Sequence, residues 1–165
     1  MSVDASALRS VLRAHASGVA VLTALGSDGP VGVTVTSFTS VSAAPALISV
    51  ALAETSNTLA RLKECEWFGV QVLGAHQTDL ARRFAAPDVD RFAPPTTWHH
   101  GPQGVPLLDD CLSRLVCSRY HQVQLGDHHL LVGAVEHVEH GMPGDSLVHV
   151  HGNLRPVTSP VPART

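Results

Sequence analysis

The chain has 165 residues, 44% of them apolar and 15% charged, with a formal net charge of −3. Those values fit one folded domain with one core, and they exclude a nucleic-acid surface, which needs clustered cations where this chain has Lys63 as its only lysine. No apolar run approaches the ~18 residues that cross a membrane, MSVDASALRS lacks the basic start of a secretory signal, and Cys65, Cys111 and Cys117 without CxxC spacing point to free thiols in a reducing cytoplasm.

Asp4 is placed to cap a helix running to Ala16, with Leu8, Val11 and Leu12 on one apolar stripe. Val19 to Ala24 reads as a strand, and Gly26-Ser27-Asp28-Gly29-Pro30 as a turn. Val31, Val33 and Val35 then alternate with Gly32, Thr34 and Thr36, the period of a half-buried strand. Ser37 to Ala44 reads as irregular, and Leu47 to Leu52 as the next strand. Ser56, Asn57 and Thr58 offer a helix start, with Leu59 to Glu64 as its turns.

Trp67 to Leu73 returns to a strand pattern, and Gln77 to Phe84 predicts a short helix with Leu80, Ala81 and Phe84 on one side. Ala85 to Pro106 is a long proline-rich connection, a length that marks a functional or mobile loop. Leu112 to Gln124 and His128 to Val138 pair as a hairpin about Gly126-Asp127, with Cys111 and Cys117 expected on one strand face. Leu147 to His151 closes the strand series, and the proline-bearing tail from Pro156 is expected to be disordered, leaving 1–155 as the domain. About six or seven strands with short turns and two or three short helices predict a mainly β, antiparallel, closed or partly closed barrel.

Three places can carry chemistry. Thr34-Val35-Thr36-Ser37 and the hydroxyl-rich residues after it leave a strand with short donors and acceptors, which suits a flat polar ring. The Ser56-Asn57-Thr58 helix start presents unpaired N–H groups where a phosphate can bind, beside or instead of ordinary capping. His128, at a hairpin tip, can position or charge a substrate group. The chain holds eleven histidines, and His149 with His151 share a strand face, with His137 and His140 as further candidates. No HExxH, Cys–His set or carboxylate pattern completes a metal site, so none is expected. GxSxG, GxGxxG and GxxxxGK[ST] are absent as well.

Taken in order, Gly18 to Thr23, GVTVTSFTSVSAAPALISVAL over Gly32 to Leu52, Ser56-Asn57-Thr58 with Leu62, Phe68 to Leu73, the Q-x-x-L-A-x-x-F of Gln77 to Phe84 and the G-D-H-x-x-x-x-G of Gly126 to Gly133 resemble the short-chain flavin reductases of two-component monooxygenase systems. The resemblance spans Leu8 to Arg155 and implies the FMN-binding split β-barrel of that family, a homodimer with flavin near the subunit interface. It implies that Thr34, Val35, Thr36 and Ser37 line the isoalloxazine edge, that Ala51, Leu52, Ser56, Asn57 and Thr58 hold the ribityl chain and phosphate, that Phe84 packs close to the flavin, and that His128 sits by the nicotinamide. The activity implied is reduction of FMN or FAD by NADH or NADPH, with transient transfer of the reduced flavin to a monooxygenase. A flavoprotein that keeps its FMN for its own substrate, and a non-enzymatic flavin or haem carrier with the histidines as ligands, are the alternatives. The segment His149-Val150-His151-Gly152-Asn153-Leu154 departs from the family, which carries an aromatic residue there.

Overall fold

The structure is a computed structural model that describes residues 3–158. In chain order its elements are α1 (Ala5–Leu12), β1 (Ser17–Gly18), β2 (Ala20–Gly26), β3 (Gly29–Val35), β4 (Thr39–Ala43), β5 (Ala46–Ala53), α2 (Asn57–Leu62), β6 (Trp67–Val72), α3 (Thr78–Ala85), β7 (Trp98–His100), β8 (Pro106–Leu108), β9 (Ser113–Leu125), β10 (His128–His140), β11 (Ser146–Val150) and β12 (Asn153–Val157).

Seven strands form the main sheet in the order β3-β2-β6-β9-β10-β5-β4, each antiparallel to its neighbour. The sheet curls until β3 approaches β5. There the backbone ladder is missing, and one side chain spans the gap. Ser37 Oγ donates to Ala51 O at 2.8 Å and accepts from Ala51 N at 3.0 Å. This seam is the split of a split β-barrel, and it supplies in one hydroxyl the pairing that an open edge would otherwise lack.

The period-2 pattern of β3 explains the barrel's two faces. Val31 and Val35 turn inward to a core with Leu22, Ile48, Val50, Phe68, Val70, Cys117 and Leu131, and α2 plugs one mouth with Leu59 and Leu62. Gly32 and Thr34 turn outward beneath α3. A side chain at position 32 would meet Phe84 Cε1 at 2.7 Å, so glycine there is what lets the helix lie on the strand. A second cluster beneath α3 joins Val19, Val21, Leu73, Ala81, Phe84, Leu108, Cys111 and Leu147.

Several sequence expectations change. α1 stops at Leu12 rather than Ala16, and its stripe faces outward, with Leu8 52%, Val11 75% and Leu12 55% exposed. The segment read as irregular contains β4, an edge strand held by pairing with β5. The long connection contains β7 and ends where β8 begins, and the two strands pair with each other. Cys111 precedes β9 and packs in the cluster under α3, whereas Cys117 points into the barrel, so the two thiols do not share a face. Burial pushes Cys111 up to about 11 and Cys117 up to about 12, which keeps both as unreactive thiols. The break expected at Pro156 falls inside β12, which runs to Val157 on the edge of the three-stranded β1-β11-β12 sheet, where a proline needs no ladder N–H. The rest of the expected tail, 159–165, lies outside the described residues.

Candidate functional site

Of the residues singled out in the sequence, Thr34, Thr36 and Ser37 gather around the outer face of β3 and the seam, while Asn57 and Thr58 line another cavity and His128 opens β10. Thr34 and Thr36 line a cavity of about 420 Å³ with Ala81, Arg82, His149 and Asn153. Thr36 and Ser37 line a second of about 430 Å³ with His15, Ser17 and Phe38. Thr36 belongs to both, so the two meet at the end of β3 in a groove that this side chain divides. Its walls carry hydroxyls, imidazoles, an amide and a guanidinium, and no carboxylate.

Individual roles are narrower than side-chain type implied. Thr34 Oγ1 donates to Ala81 O at 2.7 Å, tying α3 to β3. The Ser37 hydroxyl is engaged at the seam in both senses. Val35 and Leu52 are buried in the barrel core, so only their backbones can meet a ligand. Ala51 is half-buried with its peptide N–H and carbonyl occupied by Ser37. Phe84 is fully buried and makes an edge-on contact with Phe92 at 5.2 Å. In this conformation it supports the wall behind β3, against Gly32.

A third cavity, of about 330 Å³, lies beside the start of α2, lined by Gly32, Asn57, Thr58, Arg61, Asp88, Asp90 and Arg91 among others. Ser56 caps α2, its hydroxyl accepting from Leu59 N at 3.4 Å, so the capping role is real. Sequence reasoning passed over the guanidinium of Arg91. Nη1 donates to Gly32 O at 2.6 Å and to Thr58 Oγ1 at 3.2 Å, and Nη2 donates to Ala86 O at 2.8 Å. Nε is buried with no hydrogen-bond partner. Every partner is neutral, and burial lowers the arginine's pKa. Arg61 likewise donates to a carbonyl, Gly29 O, at 3.1 Å. Asp90 spends one carboxylate oxygen on the N–H groups of Phe92 and Ala93, and among the described residues neither arginine is ion-paired. A half-buried guanidinium with no ion-pair partner is a candidate contact for an anion.

His128 opens β10 just past the turn at Gly126, whose φ is +61°. Its Nδ1 lies 2.7 Å from Asp127 Oδ1, and the hydrogen bond from His128 holds the Asp127 carboxyl below its ordinary range. The ring is half exposed, open to a substrate on the surface. His149 lines the groove beside Thr34, while His151 takes a φ of 50° at the β11–β12 turn and its backbone N–H donates to Arg13 O at 2.7 Å. Among the described residues no three His, Cys, Asp or Glu side chains converge as metal ligands.

A split barrel with a hydroxyl-lined groove, and a further cavity that holds two arginines beside two aspartates, offers polar pockets of the kind that take small cofactors. The chain belongs to the flavin reductase like domain family, whose model matches residues 12–158. The NADH:FMN oxidoreductase of Rhodococcus erythropolis is 41% identical over 130 residues, covering 79% of this chain and 68% of that protein. The reductase component of a flavin-dependent trigonelline monooxygenase of Acinetobacter baylyi is 37% identical over 78% of this chain, which spans only 42% of that protein's length. Among solved structures, the Streptomyces globisporus NADH:FAD oxidoreductase in complex with NAD and FAD fragments matches with a TM-score of 0.88 at 32% identity, over 95% of this chain and 94% of that one.

Proposed function

We propose that the chain is an NAD(P)H:flavin oxidoreductase that reduces FMN or FAD and delivers the reduced flavin to a separate monooxygenase. The observation that carries this reading is the pairing of the carboxylate-free groove at Thr34 and Thr36 with the Arg91 cavity at the start of α2. A flavin is a flat polar ring joined by a short chain to a phosphate, and those two sites answer its two ends. Asn57, Thr58, Arg61 and the guanidinium of Arg91 would hold the phosphate. The end of β3, through Thr36 and the backbones of Val35 and Ser37, would meet the ring edge.

Bound flavin supplies an acceptor for the hydride of the nicotinamide, so the protein needs no acid–base motif of its own. What the chain contributes is alignment of the two rings and exclusion of water between them. His128, oriented by Asp127, would hold the nicotinamide carboxamide. The same protein names that place relatives in two-component systems support the transfer step, since reduced flavin is of use only where another enzyme consumes it. The three buried free thiols suit a reducing cytoplasm, and no helix among the described residues is long and apolar enough to cross a membrane.

The test is NAD(P)H oxidation with catalytic protein and added FMN, FAD or riboflavin. Many turnovers per protein are expected, against at most one for a protein that only stores its flavin. In the same assay His128→Ala is expected to lower turnover with NADH about tenfold with flavin affinity nearly unchanged. Equal turnover in the variant removes His128 from the reaction.

The chain is further proposed to act as a homodimer. An amphipathic helix that shows Leu8, Val11 and Leu12 to solvent lacks the partner its stripe calls for, and Tyr120 at 60%, Leu125 at 57% and Val138 at 65% exposure extend the apolar surface along β9 and β10. Light scattering should then give twice the 17.4 kDa of the chain. A monomer at micromolar concentration would remove the subunit interface from the reading.

A further inference from the structure

A polar chain at the α2-plugged mouth of the barrel takes no part in the contacts assigned above. The alternation along β10 turns His129 inward with Leu131, whereas His128 faces out. The His129 side chain is only 9% exposed. Arg119 Nη1 donates to Gln122 Oε1 at 2.7 Å, which fixes that amide's orientation. Gln122 Nε2 therefore faces His129 Nδ1, at 3.2 Å. An amide nitrogen donates and has no lone pair to offer, so Nδ1 must accept and the ring proton must reside on Nε2.

That Nε2 is buried without a hydrogen-bond partner, and Glu54 Oε1 is 3.9 Å away from it. The other Glu54 oxygen accepts from Gln124 Nε2 at 2.7 Å, and the Glu54 backbone N–H donates to Asp127 O at 2.9 Å. At the far end of the chain, Arg119 donates to Leu62 O and Cys65 O, the carbonyls that end α2. The contacts thus bracket α2, through Arg119 behind it and through Glu54 two residues before its Ser56 cap. The same Glu54 is tied to the turn that carries Asp127 and His128.

We propose that His129 is a positioning residue: held as its Nε2–H tautomer, it turns an unpartnered donor toward Glu54 across 3.9 Å, and closing that gap to a hydrogen bond sets Glu54, and through it the approach to α2 that presents Asn57 and Thr58 to the flavin phosphate. The kinetic consequence rests on the flavin reductase reading, while the tautomer does not. A histidine that only filled the mouth would be replaceable by any ring of its size. A positioning histidine needs an acceptor toward Gln122 and a donor toward Glu54, which a glutamine can supply and a phenylalanine cannot.

Nitrogen-15 NMR of the full chain should show His129 as the Nε2–H tautomer, and an Nδ1–H pattern overturns the proposal. In the NADH oxidation assay, His129→Phe is expected to raise the KM for FMN on the order of tenfold, with kcat at saturating FMN and the KM for NADH unchanged. His129→Gln should return the KM for FMN to near the wild-type value. A Phe variant with wild-type FMN dependence, or a Gln variant as impaired as the Phe variant, overturns it. Should the Phe variant not fold, Glu54→Ala tests the same chain from a side chain that is 51% exposed, with the same rise expected and an unchanged KM counting against the proposal. Wild-type protein that oxidises no NADH sinks the flavin reductase reading, whereas active wild type with insensitive variants sinks only the role of His129.

Discussion

Replacing Arg91 with glutamine is expected to weaken FMN and FAD binding about 10–100-fold and to leave riboflavin binding within about threefold of the parent. The difference between the ligands is the phosphate, and riboflavin has none. A hydrogen bond to a charged group contributes about 1.5–3 kcal/mol, and each 1.4 kcal/mol is a factor of ten. Arg91 also holds Gly32 O, Ala86 O and Thr58 Oγ1, so some loss of local order will accompany the substitution. That loss would act on all three ligands alike. Fluorescence quenching titrations with the three flavins separate the two effects, and a uniform loss would make Arg91 a brace for the loop rather than an anion contact. Arg91→Lys keeps the charge but not the fork of donors, and should fall between the two proteins for FMN.

How much of this was legible in the sequence follows from how each element earns its stability. β3 was visible because its valines alternate, and alternation is the direct imprint of one buried face. The same held for the β9–β10 hairpin about Gly126-Asp127, where a turn sequence separates two alternating runs. β4 left no such imprint. Its side chains are almost all exposed, and it exists because β5 offers it a ladder. β12 carries Asn153, Arg155 and Pro156 and is likewise a product of its partner, β11. Strands made by pairing rather than by burial cannot be read from hydrophobic pattern.

The site divides in the same way. The helix start at Ser56, Asn57 and Thr58 was legible because helix starts have a residue signature. Arg91 was not, because a single arginine in a proline-rich connection has none, and its meaning comes from Gly32 and Thr58, brought to it from two other parts of the chain, and from Ala86 at the start of its own connection. The one available signal was the length of that connection. Ser37 is the reverse case: in a run that reads as polar ligand contacts, its hydroxyl closes the barrel seam, which no residue signature announces. The groups that line a ligand and those that close a backbone gap are the same residue types, and only the three-dimensional partner tells them apart.

Phe84 gives the sharpest test of that distinction. Phe84→Ala should cost about 3–5 kcal/mol of folding stability, because it empties a fully buried ring volume between α3, Phe92 and the outer face of β3. At roughly 2–4 °C per kcal/mol for a chain of this size, the melting temperature falls by about 6–20 °C. Phe84→Leu refills much of the volume and should recover most of the loss. If the ring touched the flavin, the leucine variant would bind FMN more weakly even where it is stable. If the ring only holds α3 down on Gly32, FMN affinity in the leucine variant stays within about threefold of the parent. Thermal melts and FMN titrations on the pair decide it: a stable leucine variant with a tenfold loss of FMN affinity would place Phe84 in the cofactor pocket and would require α3 to move when the flavin binds.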